Sequence, residues 1–236
     1  MTLTTGALLG GRVPYVQPAE GYRTGIEPVL LAASIPALPG QRVGEAGLGA
    51  GAGLLCLLAR VPGVLTTGVE RDGAMAALAA RNLGNRATVA AADFLAFQAD
   101  PLWDHAYANP PWHDPAGTPS PIEGRRAAKQ AGAGTLGAWT ARLAACVRPR
   151  GTVTLLLPAA QVGAALHALG NAGCGGRAVF PLWPKPCRAA KLVLLRATRA
   201  SRAPDRIAPG LVLHEADGAY TALARAVLSD GAALTI

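Results

Sequence analysis

From Arg42 to Ala59 the chain runs through a short apolar stretch, Arg42-Val43-Gly44-Glu45-Ala46, then a turn with glycine at 47, 49 and 51. An apolar segment, Leu54-Leu55-Cys56-Leu57-Leu58-Ala59, follows. The three pieces read as a strand, a glycine-rich turn and a buried helix. Gly47, Gly49 and Gly51 permit positive φ and a close approach of backbone to a ligand. That order of pieces is what a nucleotide site in an α/β sheet demands. About twenty residues further on, Leu65-Thr66-Thr67-Gly68-Val69-Glu70 reads as a second strand ending in a carboxylate. Such a carboxylate accepts both ribose hydroxyls of an adenosine and repels a 2′-phosphate.

The alternation continues along the chain. A helix is expected from Asp72, its cap, to about Leu83. Ala87 to Asp93 reads as a third strand and His105 to Asn109 as a fourth. After a Gly/Pro-rich loop, Leu136 to Val147 has helical spacing, Thr152 to Leu157 is a fifth strand, and Ala159 to Leu169 another helix. Arg177 to Trp183 and Lys191 to Thr198 are two further strands, with Pro184-Lys185-Pro186 in the turn between them. Strand–helix alternation of this kind predicts a doubly wound, Rossmann-like α/β fold: a parallel sheet with helices on both faces. Residues 1–236 form one domain, with 1–40 as an N-terminal strap or lid that carries a short helix from Pro28 to Ala33. In such sheets the ligand crevice lies outside the carboxyl ends of the strands. The glycine turn, Glu70, Asp93 and Asn109 all fall at such ends.

Asn109-Pro110-Pro111-Trp112 closes the fourth strand. The two prolines exclude helix and supply no N–H, so their carbonyls are free to accept hydrogen bonds. The Asn109 side chain adds another carbonyl and Trp112 a flat apolar face. Two acceptors beside a stacking platform suit a planar base with an exocyclic amino group.

Charge narrows the partner. The chain has 236 residues, 51% hydrophobic and 15% charged, enough for a substantial core and too apolar for disorder. Its net charge of +8 divides into −2 over residues 1–120 and +10 over residues 121–236. Basic residues gather as Arg125-Arg126 with Lys129, as Lys185, Arg188 and Lys191, and along Arg196 to Arg206. A polyanion approaching the C-terminal half fits that asymmetry, as does an ordinary solvated face. The first eleven residues carry no Lys or Arg and no apolar run long enough for a bilayer follows, so a cytoplasmic location without a membrane is expected. Cys56, Cys146, Cys174 and Cys187 lack paired metal-ligand spacing, and His105, His113, His167 and His214 are scattered. No metal is expected, and the cysteines read as reduced thiols.

In this order, Glu45-x-Gly47-x-Gly49-x-Gly51, Glu70, Asp93 and Asn109-Pro110-Pro111-Trp112 resemble class I S-adenosylmethionine-dependent methyltransferases with a seven-stranded sheet. Their Asn-Pro-Pro-aromatic subgroup modifies exocyclic or amide nitrogens. Gly21-Tyr22-Arg23 and Leu213-His214-Glu215-Ala216-Asp217-Gly218-Ala219-Tyr220 are similar to the bacterial family that methylates adenine 37 of valine tRNA at its 6-amino group. The resemblance runs from about Leu8 to Ala226 and implies S-adenosylmethionine as cofactor, RNA (above all tRNA) as partner, and a monomer. It implies that Glu45 and the Gly47–Gly51 backbone hold the methionine part, Glu70 the ribose and Asp93 the cofactor's adenine amine. Asn109, Pro110, Pro111 and Trp112 become the catalytic loop. Tyr22, Arg23, Arg125, Arg126, Lys185, Arg188 and Lys191 become candidates for substrate contact. Glu45 stands where Asp is more usual, and Trp112 where Tyr or Phe is commoner.

Three other readings stay open. Ribosomal RNA could replace tRNA. A protein glutamine amide could be the acceptor, although those enzymes resemble proteins with a helical domain in front of the glycine motif. A non-catalytic RNA-binding protein on the same fold is the third. Pro186-Cys187 reads as an ordinary turn cysteine rather than a nucleophile.

Overall fold

The computed structural model describes residues 1–20, 23–110 and 133–236. A hairpin leads the chain, β1 (Leu3–Leu8) paired antiparallel with β2 (Val13–Pro18). Helix α1 (Glu27–Ser34) follows, with Pro28 in its first turn, within a residue of the expected Pro28–Ala33 at either end. Then come β3 (Arg42–Ala46), α2 (Ala52–Arg60), β4 (Leu65–Glu70), α3 (Gly73–Leu83), β5 (Thr88–Ala91) and β6 (Trp103–Ala108). The second half contains α4 (Ala133–Cys146), β7 (Val147–Pro158), α5 (Val162–Asn171), β8 (Cys174–Trp183) and β9 (Leu192–Arg199). Two short strands, β10 (Arg206–Ile207) and β11 (Leu211–Val212), precede α6 (Ala222–Asp230).

The main sheet has the order β5-β4-β3-β6-β7-β9-β8-β10, with β11 also paired to β8. The chain winds outward from β3 through β4 to β5, then crosses back to lay β6 on the other side of β3. That reversal puts the topological switch point between β3 and β6.

Burial explains the doubly wound form. β6 and the stretch Val153–Leu157 of β7 are buried almost throughout, because helices cover both faces. One core joins α1, α2, α3 and α6 to Val43, Tyr107 and Leu156; the other joins α4 and α5 to Ala46, Ala106, Ala108, Leu155 and Leu157. Tyr107 and its neighbours Ala106 and Ala108 therefore face opposite cores, as the two-residue period of a strand requires.

Three expectations needed correction. The seven expected strands form, but β9 runs antiparallel to both β7 and β8, so the sheet is not wholly parallel. Residues 184–191, which join β8 to β9, are too few for a crossover helix and can only turn the chain back. The two short strands β10 and β11 add to the seven along β8. β7 begins at Val147 rather than Thr152, because a register irregularity sets the four residues from Arg148 to Gly151 opposite Asp104 alone, between the pairs Trp103–Val147 and His105–Thr152. The helix expected from Ala159 does start there, as a 3₁₀ turn over Ala159–Gln161 that runs straight into α5, and the Ala159 N–H is bonded to the Lys191 carbonyl at 2.9 Å.

Two arginines close the C-terminal end of α1. Arg60 donates to the carbonyls of Ala32 and Ile35 at 3.0 and 2.6 Å, and Arg196 donates to the Ser34 carbonyl. These carbonyls carry the negative end of the helix dipole, so a guanidinium is a suitable cap. Burial lowers the Arg196 pKa to about 10, and Arg206 and Arg60 push the same way.

Candidate functional site at the carboxyl edge

One register row crosses the sheet: Leu155 of β7, Ala108 of β6, Ala46 of β3, Val69 of β4 and Ala90 of β5. Asn109 is the next residue after Ala108, Gly47 the next after Ala46, and Glu70 the next after Val69. Asp93 lies two residues beyond Ala91, the partner of Glu70. The topology thus gathers the glycine turn, Glu70, Asp93 and Asn109 along one edge, with Gly47 and Asn109 flanking the switch point.

The turn itself is left-handed at each glycine, with φ of 72° at Gly47, 56° at Gly49 and 89° at Gly51. The Gly47 and Leu48 N–H groups both donate to the Val69 carbonyl. The glycines differ in their surroundings. A Cβ on Gly47 would stand 3.2 Å from the Trp139 ring, and one on Gly51 would stand 3.2 Å from Leu83. Among the described residues, a Cβ on Gly49 would meet nothing within 4 Å. Gly49 is therefore the place where the turn opens onto free space.

Glu70 braces this turn. Its Oε2 accepts from Gly49 N–H at 2.9 Å and its Oε1 from Asp72 N–H at 2.9 Å, and it is half-buried. A carboxylate offers about four lone-pair sites, so two acceptor positions remain. Asp93 is exposed and accepts from Leu95 N–H at 2.9 Å. Phe94 beside it is buried and packs against Trp139 with ring centroids 5.2 Å apart.

Glu45 is different in kind. It is buried, and its Oε2 accepts from Leu54 N–H at 2.9 Å and from the Tyr107 hydroxyl at 3.0 Å. Burial pushes its carboxyl up to about 8, although the bonds from Tyr107 and Leu54 pull it down; Glu70 adds to the rise. Burial likewise raises the Tyr107 phenol well above its usual value, so it remains a donor.

Asn109 is half-buried, yet its Oδ1 is shut away from solvent with no hydrogen-bond partner among the described residues. A buried orphan acceptor costs about 1–3 kcal/mol and points to a missing donor. Pro110 next to it is buried. Pro111, Trp112, Tyr22, Arg125 and Arg126 lie outside the described residues.

The basic turn stands on the same edge. Val179 of β8 shares the row through Leu195 of β9 and Leu155, and β8 continues four residues further, to Trp183. The turn 184–191 therefore rises about 13 Å beyond the row. Arg188 and Lys191 are exposed, while Lys185 is half-buried and donates to the Ala216 carbonyl at 2.9 Å. Its neighbour is the segment from Leu213 to Tyr220, whose Leu213 and His214 N–H groups bond the Trp183 and Pro184 carbonyls. His214 stacks on Tyr220 with centroids 4.7 Å apart. Arg23 is exposed between β2 and α1, beside Thr24, whose N–H donates to Gln17 Oε1 at 2.9 Å.

Four residues at or beside this edge were not singled out from sequence for it: Tyr107, Phe94, Trp139 and Asn82. The Asn82 amide of α3 donates to Val16 of the hairpin and to Ala50 of the glycine turn, both at 2.8 Å, and accepts from Val16 N–H at 3.2 Å. No local pattern marks the first three apart from other aromatics of a core, or Asn82 apart from other polar residues of a helix. His105 is bonded to Gln41 and Thr152. Among the described residues no three metal-ligating side chains cluster, and no helix is long and apolar enough to cross a membrane.

No protein-family model and no curated protein sequence matches the chain. Solved structures do match its fold. A predicted O-methyltransferase from Agrobacterium tumefaciens aligns at a TM-score of 0.72 and 23% identity, covering 89% of this chain and 98% of that one. An S-adenosylmethionine-dependent O-methyltransferase from Thermotoga maritima aligns at 0.54 and 20%, covering 78% and 68%. A geranyl diphosphate C-methyltransferase from Streptomyces coelicolor, bound to S-adenosyl-L-homocysteine, aligns at 0.52 and 13%, covering 73% and 78%. Their methyl acceptors differ, so the fold alone names no acceptor. What the neighbours share is the architecture, and this chain has the doubly wound, Rossmann-like fold of class I S-adenosylmethionine-dependent methyltransferases.

Proposed function

We propose that the protein is an S-adenosylmethionine-dependent methyltransferase acting on the exocyclic 6-amino group of an adenine in RNA, most readily tRNA. The observation that carries this reading is the buried Asn109 Oδ1 at the switch point, without a hydrogen-bond partner among the described residues, at the strand end next to the one that leads into the glycine turn. An acceptor without a donor in that place suits an amine. The cofactor fits the residues present. Gly49 leaves room for it, Glu70 has two acceptor positions left for ribose hydroxyls, and Glu45 stands under the turn for the amino-acid end. Asp93 is exposed on the edge for the cofactor's adenine amine.

Bound S-adenosylmethionine supplies a methyl group activated on a sulfonium sulfur. The chain's own contribution is to prepare the nitrogen. An adenine amine is a poor nucleophile because its lone pair is delocalised into the ring. Hydrogen bonds from its two hydrogens to Asn109 Oδ1 and the Pro110 carbonyl favour a pyramidal nitrogen with an available lone pair. The same acceptors stabilise positive charge as it develops there. Holding amine and methyl near contact supplies much of the remaining rate. Trp112 stacks the base taken out of its own stack, worth about 1–3 kcal/mol per base. Arg188 and Lys191, exposed on the rim, take phosphates.

Calorimetry is the first test: S-adenosylhomocysteine is expected to bind the isolated protein without metal, and no binding removes the reading. Mass spectrometry of nucleosides from a strain lacking the protein should show 6-methyladenosine lost from tRNA. Loss confined to rRNA transfers the acceptor; unchanged RNA excludes it. Affinity for the substrate RNA should fall steeply with salt, and the Arg188→Ala/Lys191→Ala protein should show a slope lower by about two, one for each phosphate contact removed. Equal slopes would mean that this turn is only a solvated face.

A further inference from the structure

We infer that Tyr107 is a positioning residue for cofactor capture: its hydroxyl holds the Glu45 carboxylate in the orientation and charge state that receive the α-ammonium of the cofactor's amino-acid end. The inference rests on the methyltransferase reading above and goes beyond it, since nothing in that reading needs Tyr107.

Glu45 and Tyr107 are register partners on β3 and β6, so their side chains leave the sheet on the same face. Tyr107 is fully buried, and its hydroxyl donates to Glu45 Oε2 at 3.0 Å. The same oxygen accepts the N–H of Leu54 in the first turn of α2, the positive end of that helix. On the other side α2 comes so close that a Cβ on Gly53 would stand 2.3 Å from Glu45 Oε1. The carboxylate is thus held from two elements and has little freedom to rotate.

Its charge is what lacks a counterpart. The groups facing it are the Tyr107 phenol from β6, the Cys56 thiol from α2 and the Glu70 carboxylate from β4. Burial, with Glu45 next, pushes the Cys56 thiol up to about 12, so it stays neutral. Arg60 of α2 acts on Tyr107 and hydrogen-bonds the end of α1. No cationic side chain among the described residues bonds to Glu45. A buried carboxylate without a cation is poorly stabilised, and it gives way by holding its proton. Burial accordingly sets the Glu45 carboxyl near 8 in the protein alone, with Tyr107 the first of the groups pulling it down. An arriving ammonium is the missing cation. Capture then releases the Glu45 proton to solvent, and Tyr107 makes that release easier by bonding the charged form.

The test compares two probes, S-adenosylhomocysteine, which keeps the α-ammonium, and 5′-methylthioadenosine, which lacks the amino-acid part. With wild type, calorimetry in buffers of different ionisation enthalpy should show close to one proton released per S-adenosylhomocysteine near pH 7, and affinity rising toward pH 8. Tyr107→Phe keeps the ring and loses a hydrogen bond to a charged group. It should weaken S-adenosylhomocysteine by about tenfold or more at pH 7, move the rise in affinity to higher pH, and leave methylthioadenosine unaffected. Equal weakening of both probes, or of neither, overturns the inference. Glu45→Gln serves where Tyr107→Phe fails to fold: S-adenosylhomocysteine should bind it weakly and without proton release, and a surviving proton release overturns the inference. Wild type binding neither probe removes the methyltransferase reading as well.

Discussion

Asn109→Ala is expected to lose methyl transfer by about 10²- to 10³-fold in kcat while binding S-adenosylhomocysteine as tightly as wild type. The amide is assigned to the acceptor amine and not to the cofactor. Its loss falls on the transition state, where the nitrogen becomes positive, and leaves the ground-state complex with the cofactor intact. It also removes a buried acceptor that has no partner among the described residues. The variant should therefore be at least as stable as wild type, by about 1 kcal/mol at most. A loss of turnover accompanied by loss of stability would mark Asn109 as a structural residue. Turnover within tenfold of wild type would sink the role given to the loop.

The second large effect is on stability and comes from two buried groups whose shifts oppose each other. The Glu45 carboxyl is raised from 4.5 to about 8. Between those values the folded protein binds a proton that the unfolded chain does not, so stability is highest below pH 4.5 and is lost as pH rises through 8. The His105 imidazole is lowered from 6.5 to about 4, by burial first, with Arg196 and Arg148 adding and Asp104 opposing. Here the unfolded chain holds the extra proton, so stability is fully present above 6.5 and lost as pH falls through 4. These shifts correspond to about 5 and about 3 kcal/mol respectively. Between pH 4.5 and 6.5 the two slopes cancel; from 6.5 to 8 only the Glu45 slope remains. Glu45→Gln should unmask a stability that rises from pH 4 to 6.5 and then stays level. His105→Gln should fall steadily from 4.5 to 8. Urea midpoints across this range read the effect, and superimposable profiles for wild type and Glu45→Gln would show that Glu45 titrates normally.

Much of the fold was legible because its signals are local. Three glycines between a strand pattern and a helix pattern permit left-handed φ, and the turn uses it at each of them. Glu70 and Asn109 fell at strand ends because strands of a doubly wound sheet end where the apolar run stops. The direction of β9 follows from the short connection 184–191, which was visible, although parallel pairing had been extended to it from the alternation before it. The β1–β2 hairpin was missed. Pro14 and Pro18 sit in β2, and such residues argue against a strand unless it lies at an edge, as it does here. The partners of Glu45 were hidden for another reason. Pairing of β3 with β6 brings Tyr107 against it from far along the chain, and no local pattern encodes a contact of that kind. The same holds for Trp139, which lies over Gly47 from α4.

Asn82 joins two parts of the molecule that have no covalent reason to know of each other. One amide group bonds both Val16 of the leading hairpin and the Ala50 carbonyl in the glycine turn. The free energy that docks the hairpin and the free energy that orders the turn are therefore partly the same quantity. Linkage makes such sharing reciprocal. Whatever a ligand gains from finding the turn already ordered, it returns as a smaller population of the open hairpin. The first eighteen residues, which touch none of the described candidate side chains through a hydrogen bond, thereby enter the affinity of the site as an entropy already spent.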